Sequence, residues 1–188
     1  MKEAYIVTSV RTPGCRRGRG AFAFTRPEDL LKSALNGLME RTPGVEKKDV
    51  EDILVGCAFP EAEQGLNVAR IGAVLAGLPN SVGGITVNRF CASGISAVAM
   101  AADRIRVGEA DIMIAAGVES MSMVPMMGNN PSLHPDIFSG NQDVGIAYGM
   151  GLTAEQLAHL LSPSTGWAAT TPFREPASGW RSRATSWS

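Results

Sequence analysis

Cysteine, histidine and aromatic residues are all scarce in this 188-residue chain: three Cys, two His and 6% Phe, Trp and Tyr. Cys15, Cys57 and Cys91 cannot all pair with one another. None lies in a CxxC spacing or near a histidine at ligand spacing, which excludes a disulfide framework and gives no reason to expect a metal. A reducing compartment, the cytoplasm, is the expectation. No apolar run approaches the roughly 20 residues that cross a bilayer. The opening Met1–Val7 carries an acid at Glu3 and its apolar run stops at Thr8, so it does not read as a secretory leader. Charge of one sign is lacking too. With 17 Lys and Arg against 18 Asp and Glu, no field favours nucleic acid or an anionic membrane as partner.

What is present is 45% hydrophobic residues, enough for one core of ordinary size. Tyr5–Val10 is β-branched and aromatic and is ended by Arg11-Thr12-Pro13-Gly14, so it predicts a buried strand. Pro27-Glu28-Asp29 then opens a helix with a first-turn proline and two carboxylates at the positive end of its dipole. Leu30, Leu31, Ala34, Leu35, Leu38 and Met39 form its apolar face, and Thr42-Pro43-Gly44 ends it. A second strand is predicted over Ile53–Ala58, and a second helix over Asn67–Ala76, stopped by Gly77 with Pro79 beyond. Ile85–Asn88 makes a third strand, Gly94–Val107 a third helix ended by Gly108, and Ile112–Ala116 a fourth strand. Strands apolar on both faces, alternating with helices, argue an α/β class with a layered sheet.

From Glu119 to Gly151 the pattern gives way to Met, Pro, Gly and Asn, which suits a long excursion over the sheet's end, and Thr153–Ala158 opens like a helix. Residues 162–188 contain no Val, Ile, Leu or Met, yet hold all three Trp and thirteen Ser, Thr or Pro. Such a stretch lacks the apolar spacing that buries a helix or strand. Two readings stay open for it: an out-of-frame product of a truncated reading frame, or an ordinary flexible tail.

Cys91 falls between the third strand and the third helix, where unpaired backbone N–H groups and the helix dipole favour thiolate over thiol. That is what a nucleophilic cysteine needs. Ser93, Gly94, Ser96 and Ala97 are small, so another backbone or a slim ligand can come close. The helix is nearly apolar all round until Asp103-Arg104, which predicts burial at the centre of the layers. From position alone, a small buried hydrophobe is the competing reading of Cys91.

The local sequence decides between the two. Asn88-Arg89-Phe90-Cys91-Ala92-Ser93-Gly94 resembles the NRxCxSG nucleophile motif of the thiolase family, in the strand–turn–helix context where that family carries it. Similar segments follow in the family's order: Arg11-Thr12-Pro13, Gly56-Cys57-Ala58, Gln64–Arg70, Ala116–Ser122 and Gly145–Glu155. The wording is nearest to bacterial 3-ketoacyl-CoA thiolases of fatty-acid β-oxidation and runs from Met1 to about Ala158. The resemblance implies the N-terminal half of a thiolase-like layered α/β fold. Its parts are a core over residues 1–118, part of a loop domain over 119–161, and a non-family segment over 162–188. It also implies a ping-pong acyl transfer through acyl-Cys91, with CoA and acyl-CoA as substrates and no cofactor. The partners it implies are a further copy of the chain and a β-oxidation multifunctional subunit. The biosynthetic acetoacetyl-CoA thiolase, carrying the same motif, is the alternative within the class. A non-catalytic fragment able only to dimerise or aggregate is the alternative outside it.

The resemblance also says what is missing. Thiolases take a base, an acid and oxyanion donors from a GHP motif, a CxGxGxG motif and an Asn in the C-terminal half. Neither Leu133-His134-Pro135 nor the surroundings of His159 match the first, and Cys57 lacks the glycines of the second, leaving it as a buried strand residue. Three weaker signals accompany Cys91. Arg11, Arg16, Arg17 and Arg19 crowd a Gly-rich loop that reads as solvated rather than as a phosphate site. Met121, Met123, Met126 and Met127 either line an acyl tunnel or pack a covering loop onto the core. A catalytic role is open to Glu119, but the resemblance implies a structural place near the nucleophile rather than a proton to move.

Overall fold

A computed structural model describes residues 2–139 and 144–161. The segment 162–188, singled out above, lies outside the described residues. The chain divides into two compact units, Met1–Pro131 and Ser132–Ser188.

The first unit is built on a parallel sheet in the order β2-β1-β3, with β1 at Asp52–Gly56, β2 at Ile85–Val87 and β3 at Met113–Gly117. Leu54 pairs with Ile85 on one side and with Ala115 on the other, so β1 is the central strand. All five of its residues are buried, the expected state of a strand covered on both faces. Alternation then sorts its side chains. Ile53, Val55 and Cys57 join Leu31, Leu35, Val68, Ala69 and Ala73 in the larger cluster, whereas Leu54 faces Ala97 and Ala101. Helices α1 (Pro27–Glu40) and α2 (Val68–Leu75) therefore cover one face of the sheet, and α3 (Ser93–Val107) the other.

Local chemistry explains where each helix starts and stops. Pro27 opens α1, and Glu28 in its first turn is buried and paired with Arg26 Nη2 at 2.6 Å. Asn67, at φ +64°, heads α2; its Oδ1 accepts the Arg70 N–H, and its Nδ2 donates to the Gly84 carbonyl at 2.8 Å. Gly108, at φ +81°, ends α3 in the left-handed conformation that glycine adopts freely. An ion-paired set ties α3 to the start of β1. Arg104 Nη1 meets Asp52 Oδ2 at 2.5 Å, Arg104 Nη2 meets Glu109 at 2.7 Å, and Asp52 Oδ1 accepts the Ile53 N–H at 2.8 Å.

Two expectations are corrected. Tyr5–Val10 forms no strand: Tyr5, Ile6 and Val7 are exposed, Ile6 at 81%. A strand needs a neighbour, and neither edge strand of the sheet takes this segment up; the nearest backbone tie precedes it, from the Lys2 N–H to the Arg106 carbonyl at 3.1 Å. Nor is α3 buried all round. Ser93, Ser96, Ala97 and Ala101 lie against the sheet, whereas Ile95 is 70% exposed and Val98, Met100 and Val107 also face outward. The described sheet has a single layer on that side, so only one face of α3 has anything to pack on.

In the second unit, a short 3-10 turn at Pro135–Ile137 is capped by His134, and α4 spans Met150–Leu161. No helix among the described residues is long and apolar enough to cross a membrane.

Candidate active site

Between the end of β2 at Val87 and the start of α3 at Ser93 the chain makes one tight turn, with a 3-10 segment at Phe90–Ala92. Phe90 adopts φ +47°, the left-handed region, where a bulky side chain costs about 1–3 kcal/mol unless its surroundings hold it. Two side chains do so. Asn88 Oδ1 accepts the Phe90 N–H at 3.0 Å, and Ser93 Oγ both accepts the Arg89 N–H at 2.8 Å and donates to the Phe90 carbonyl at 2.6 Å. The next residue along, Cys91, is exposed and free. The turn thus presents a thiol to solvent directly ahead of a 15-residue helix.

The turn rests on a glycine. A Cβ on Gly56, the last residue of β1, would stand 2.5 Å from the Ser93 carbonyl carbon and 2.6 Å from the Gly94 nitrogen, both backbone atoms. Only glycine lets the strand end and the helix start approach this closely. The small residues at the head of α3 do what their size suggests: they bring backbone to backbone.

Beyond the carboxyl ends of β1 and β3 lies a second cluster. Gln64 is fully buried, donates from Nε2 to the Phe59 carbonyl at 2.9 Å and to Glu119 Oε1 at 2.6 Å, and accepts the Ser120 N–H at 2.5 Å. Glu119 Oε2 accepts the Ala58 N–H at 2.7 Å, and Glu119 Oε1 lies 3.9 Å from Cys57 Sγ. Burial first, and the Glu119 carboxylate second, push the Cys57 thiol up to about 12. At 1% exposure it is a protonated core residue, as its sequence context suggested, and not an ionisable partner for Cys91. Both carboxylate oxygens of Glu119 are thus taken up by Gln64 and the Ala58 N–H.

The weaker signals separate. Arg11, Arg16, Arg17 and Arg19 are all exposed. Arg11, with Ser33, Gly37 and Arg41, lines a cleft of about 550 Å³, and no residue of the Cys91 turn is among its walls. Met121 and Met123 are half-buried, while Met126 and Met127 are exposed. His134 Nδ1 accepts the Asp136 N–H at 3.3 Å and lies 3.5 Å from that residue's carboxylate, so it is engaged within its own turn. Among the described residues no group of three or more His, Cys, Asp or Glu is placed to hold a metal ion.

Reading residue by residue finds Cys91 but misses its support. The Asn88 contribution was available locally, since an Asn accepting the N–H two residues on is an Asx turn. In the sequence Ser93 stands out for its small size, and its hydroxyl bonds show only in the folded turn. The Gln64–Glu119 contact joins residues 55 positions apart and leaves no local trace.

A parallel α/β sheet that ends one strand in a braced turn, with an exposed cysteine at the head of the following helix, defines the class of α/β proteins that present a thiol at a strand-to-helix junction. Within that class the chain belongs to the thiolase family: the model of the thiolase N-terminal domain matches residues 4–164. It is 46% identical over 158 residues to a 3-ketoacyl-CoA thiolase of Bacillus subtilis (strain 168), covering 84% of this chain and 40% of that one. It is 44% identical over 159 residues to the 3-ketoacyl-CoA thiolase of Idiomarina loihiensis, covering 84% and 40%. With that of Vibrio cholerae the figures are 45% over 161 residues, covering 85% and 41%. The chain spans about 40% of the length of the curated relatives it matches.

Proposed function

We propose that this chain carries the acyl-accepting half of a thiolase, with Cys91 as the nucleophile. The observation that carries the reading is the braced turn. Asn88 and Ser93 hold Phe90 at a left-handed φ so that the following residue, Cys91, is exposed at the head of α3. In the proposed reaction the Cys91 thiolate attacks the 3-keto carbonyl of a 3-ketoacyl-CoA. The C2–C3 bond breaks, its electron pair leaves as the enolate of acetyl-CoA, and a proton at C2 completes that product. The thiol of a second CoA then attacks acyl-Cys91, releasing acyl-CoA and returning the proton to the cysteine. A base, an acid and two sets of oxyanion donors are needed besides the thiolate. Relatives more than twice as long have ample further chain to supply them.

The parent activity is therefore acetyl-CoA C-acyltransfer in fatty-acid β-oxidation, in the cytoplasm, by an oligomer of like chains that works beside a multifunctional subunit. The 188-residue chain alone does not turn over, since losing members of a catalytic unit costs several orders of magnitude. A thiolysis assay on 3-ketoacyl-CoA tests this: no steady turnover is expected, and a rate near that of a full-length thiolase refutes it. The non-catalytic alternative draws on the exposed apolar face of α3, including Ile95, Val98 and Val107. Size-exclusion chromatography with full-length enzyme separates the two, because an assembly piece co-elutes with it.

A further inference from the structure

We propose that Phe59 is a positioning residue for Cys91, held in place by the buried Gln64–Glu119 pair; this rests on Cys91 being the nucleophile. The Phe59 ring packs against the Phe90 ring, centroids 6.0 Å apart and planes tilted by 51°. Phe90 is 62% exposed, so this contact adds little to the core; what it does is give direction to a ring that immediately precedes Cys91. The hydrogen bonds from Asn88 and Ser93 hold the backbone of the turn, but not the direction of the Phe90 side chain.

Phe59 is itself gripped from both sides. Its carbonyl accepts from Gln64 Nε2, and the N–H of the preceding residue, Ala58, donates to Glu119. Gln64 places both polar ends of its fully buried amide on partners, and one of these is the carboxylate of Glu119. A satisfied polar network of this kind has a definite geometry and does not slide as an apolar contact does. It joins segments that follow the carboxyl ends of β1 and β3, while Phe90 follows that of β2. That is the edge of an open parallel sheet where ligands are bound. The path runs from Glu119 and Gln64 through the Phe59 backbone, then ring to ring to Phe90, and so to the residue that carries the thiol.

The test is the rate of alkylation of Cys91 by iodoacetamide across neutral and alkaline pH, read cysteine by cysteine by peptide mass spectrometry on the whole chain. Cys15, exposed and remote in sequence, controls for reagent; Cys57, buried, stays unlabelled while the fold is intact. Phe59→Ala is expected to lower the Cys91 rate at neutral pH roughly threefold or more and to change the form of its pH dependence. Cys15 should be unaffected, and Phe59→Tyr should restore the wild-type profile. Glu119→Gln, which keeps one acceptor oxygen of two, should lower the Cys91 rate in the wild-type chain but add nothing to Phe59→Ala. Should Phe59→Ala expose Cys57, Phe59→Leu decides, with the same drop expected while Cys57 stays protected. A Cys91 profile unchanged in a folded Phe59 variant, or a Glu119→Gln effect that persists in full without the ring, overturns the proposal. Alkylation does not depend on acyl transfer, so failure of Cys91 to accept an acyl group is a separate result.

Discussion

Ser93 Oγ lies 2.6 Å from the Phe90 carbonyl oxygen, to which it donates, while accepting the Arg89 N–H at 2.8 Å; one buried hydroxyl spans the turn that carries Cys91. Ser93→Ala removes both bonds at once and releases a residue held at φ +47°. The expected loss is about 1–2 kcal/mol of stability, with faster hydrogen exchange at the Arg89 amide. Urea unfolding and amide exchange check the two parts separately.

Two glycines a short distance apart are expected to behave oppositely. Gly56→Ala drives a Cβ to within 2.5 Å of backbone that cannot swing aside, and should cost about 2–3 kcal/mol by parting α3 from β1. Gly94, in the first turn of α3, has open space where a Cβ would stand. Gly94→Ala should be neutral or stabilising by about 0.5–1 kcal/mol. Thermal melts of the two variants side by side give the comparison.

This contrast marks what the sequence made legible. Pro27, Gly77 and Gly108 announce helix boundaries because caps and stops are local chemistry, and the structure places α1, α2 and α3 within a few residues of them. The strand at Ile53–Val55 is legible because it is buried on both faces. Tyr5–Val10 has the same composition but no partner, and composition says nothing of pairing. Cys91 is legible because its motif is contiguous. That Gly56 touches the head of α3 across 37 residues, and that Gln64 holds Glu119, depend on how the layers are stacked.

The Asp52–Arg104 pair gives a test of buried against exposed charge. Asp52 is nearly enclosed and holds both a guanidinium and a backbone N–H, so Asp52→Ala leaves Arg104 with Glu109 alone and should cost about 2–4 kcal/mol. The Lys2–Asp111 pair has the same 2.5 Å separation but lies open to solvent. Asp111→Asn should change stability by less than about 0.5 kcal/mol. Urea midpoints that fall by equal amounts contradict this ordering.

Cys57 makes stability depend on alkaline pH. Its thiol is raised from 9.0 to about 12 on folding, so the folded chain keeps a proton that the unfolded chain releases first. Its contribution is complete below the unfolded value near 9 and is lost as pH rises through the folded value near 12. Between the two, unfolding should become easier by on the order of 1 kcal/mol per pH unit from this group. Cys57→Ala removes that component, so the urea midpoint of the variant should decline less steeply than that of the wild type over pH 9.0 upward.

The most direct measurement asks which cysteine accepts an acyl group. The folded chain is incubated with acetyl-CoA at neutral pH, quenched in acid and digested, and the acyl mass is located by peptide mass spectrometry. Transfer forms a Cys–acyl thioester and releases CoA thiol, so the two should appear together. The account predicts acetyl on the Cys91 peptide, absent from Cys15 and Cys57 and abolished by Cys91→Ala. Acetyl spread equally over the exposed Cys15 and Cys91, or found on Cys15 and not on Cys91 while the chain is folded, contradicts it.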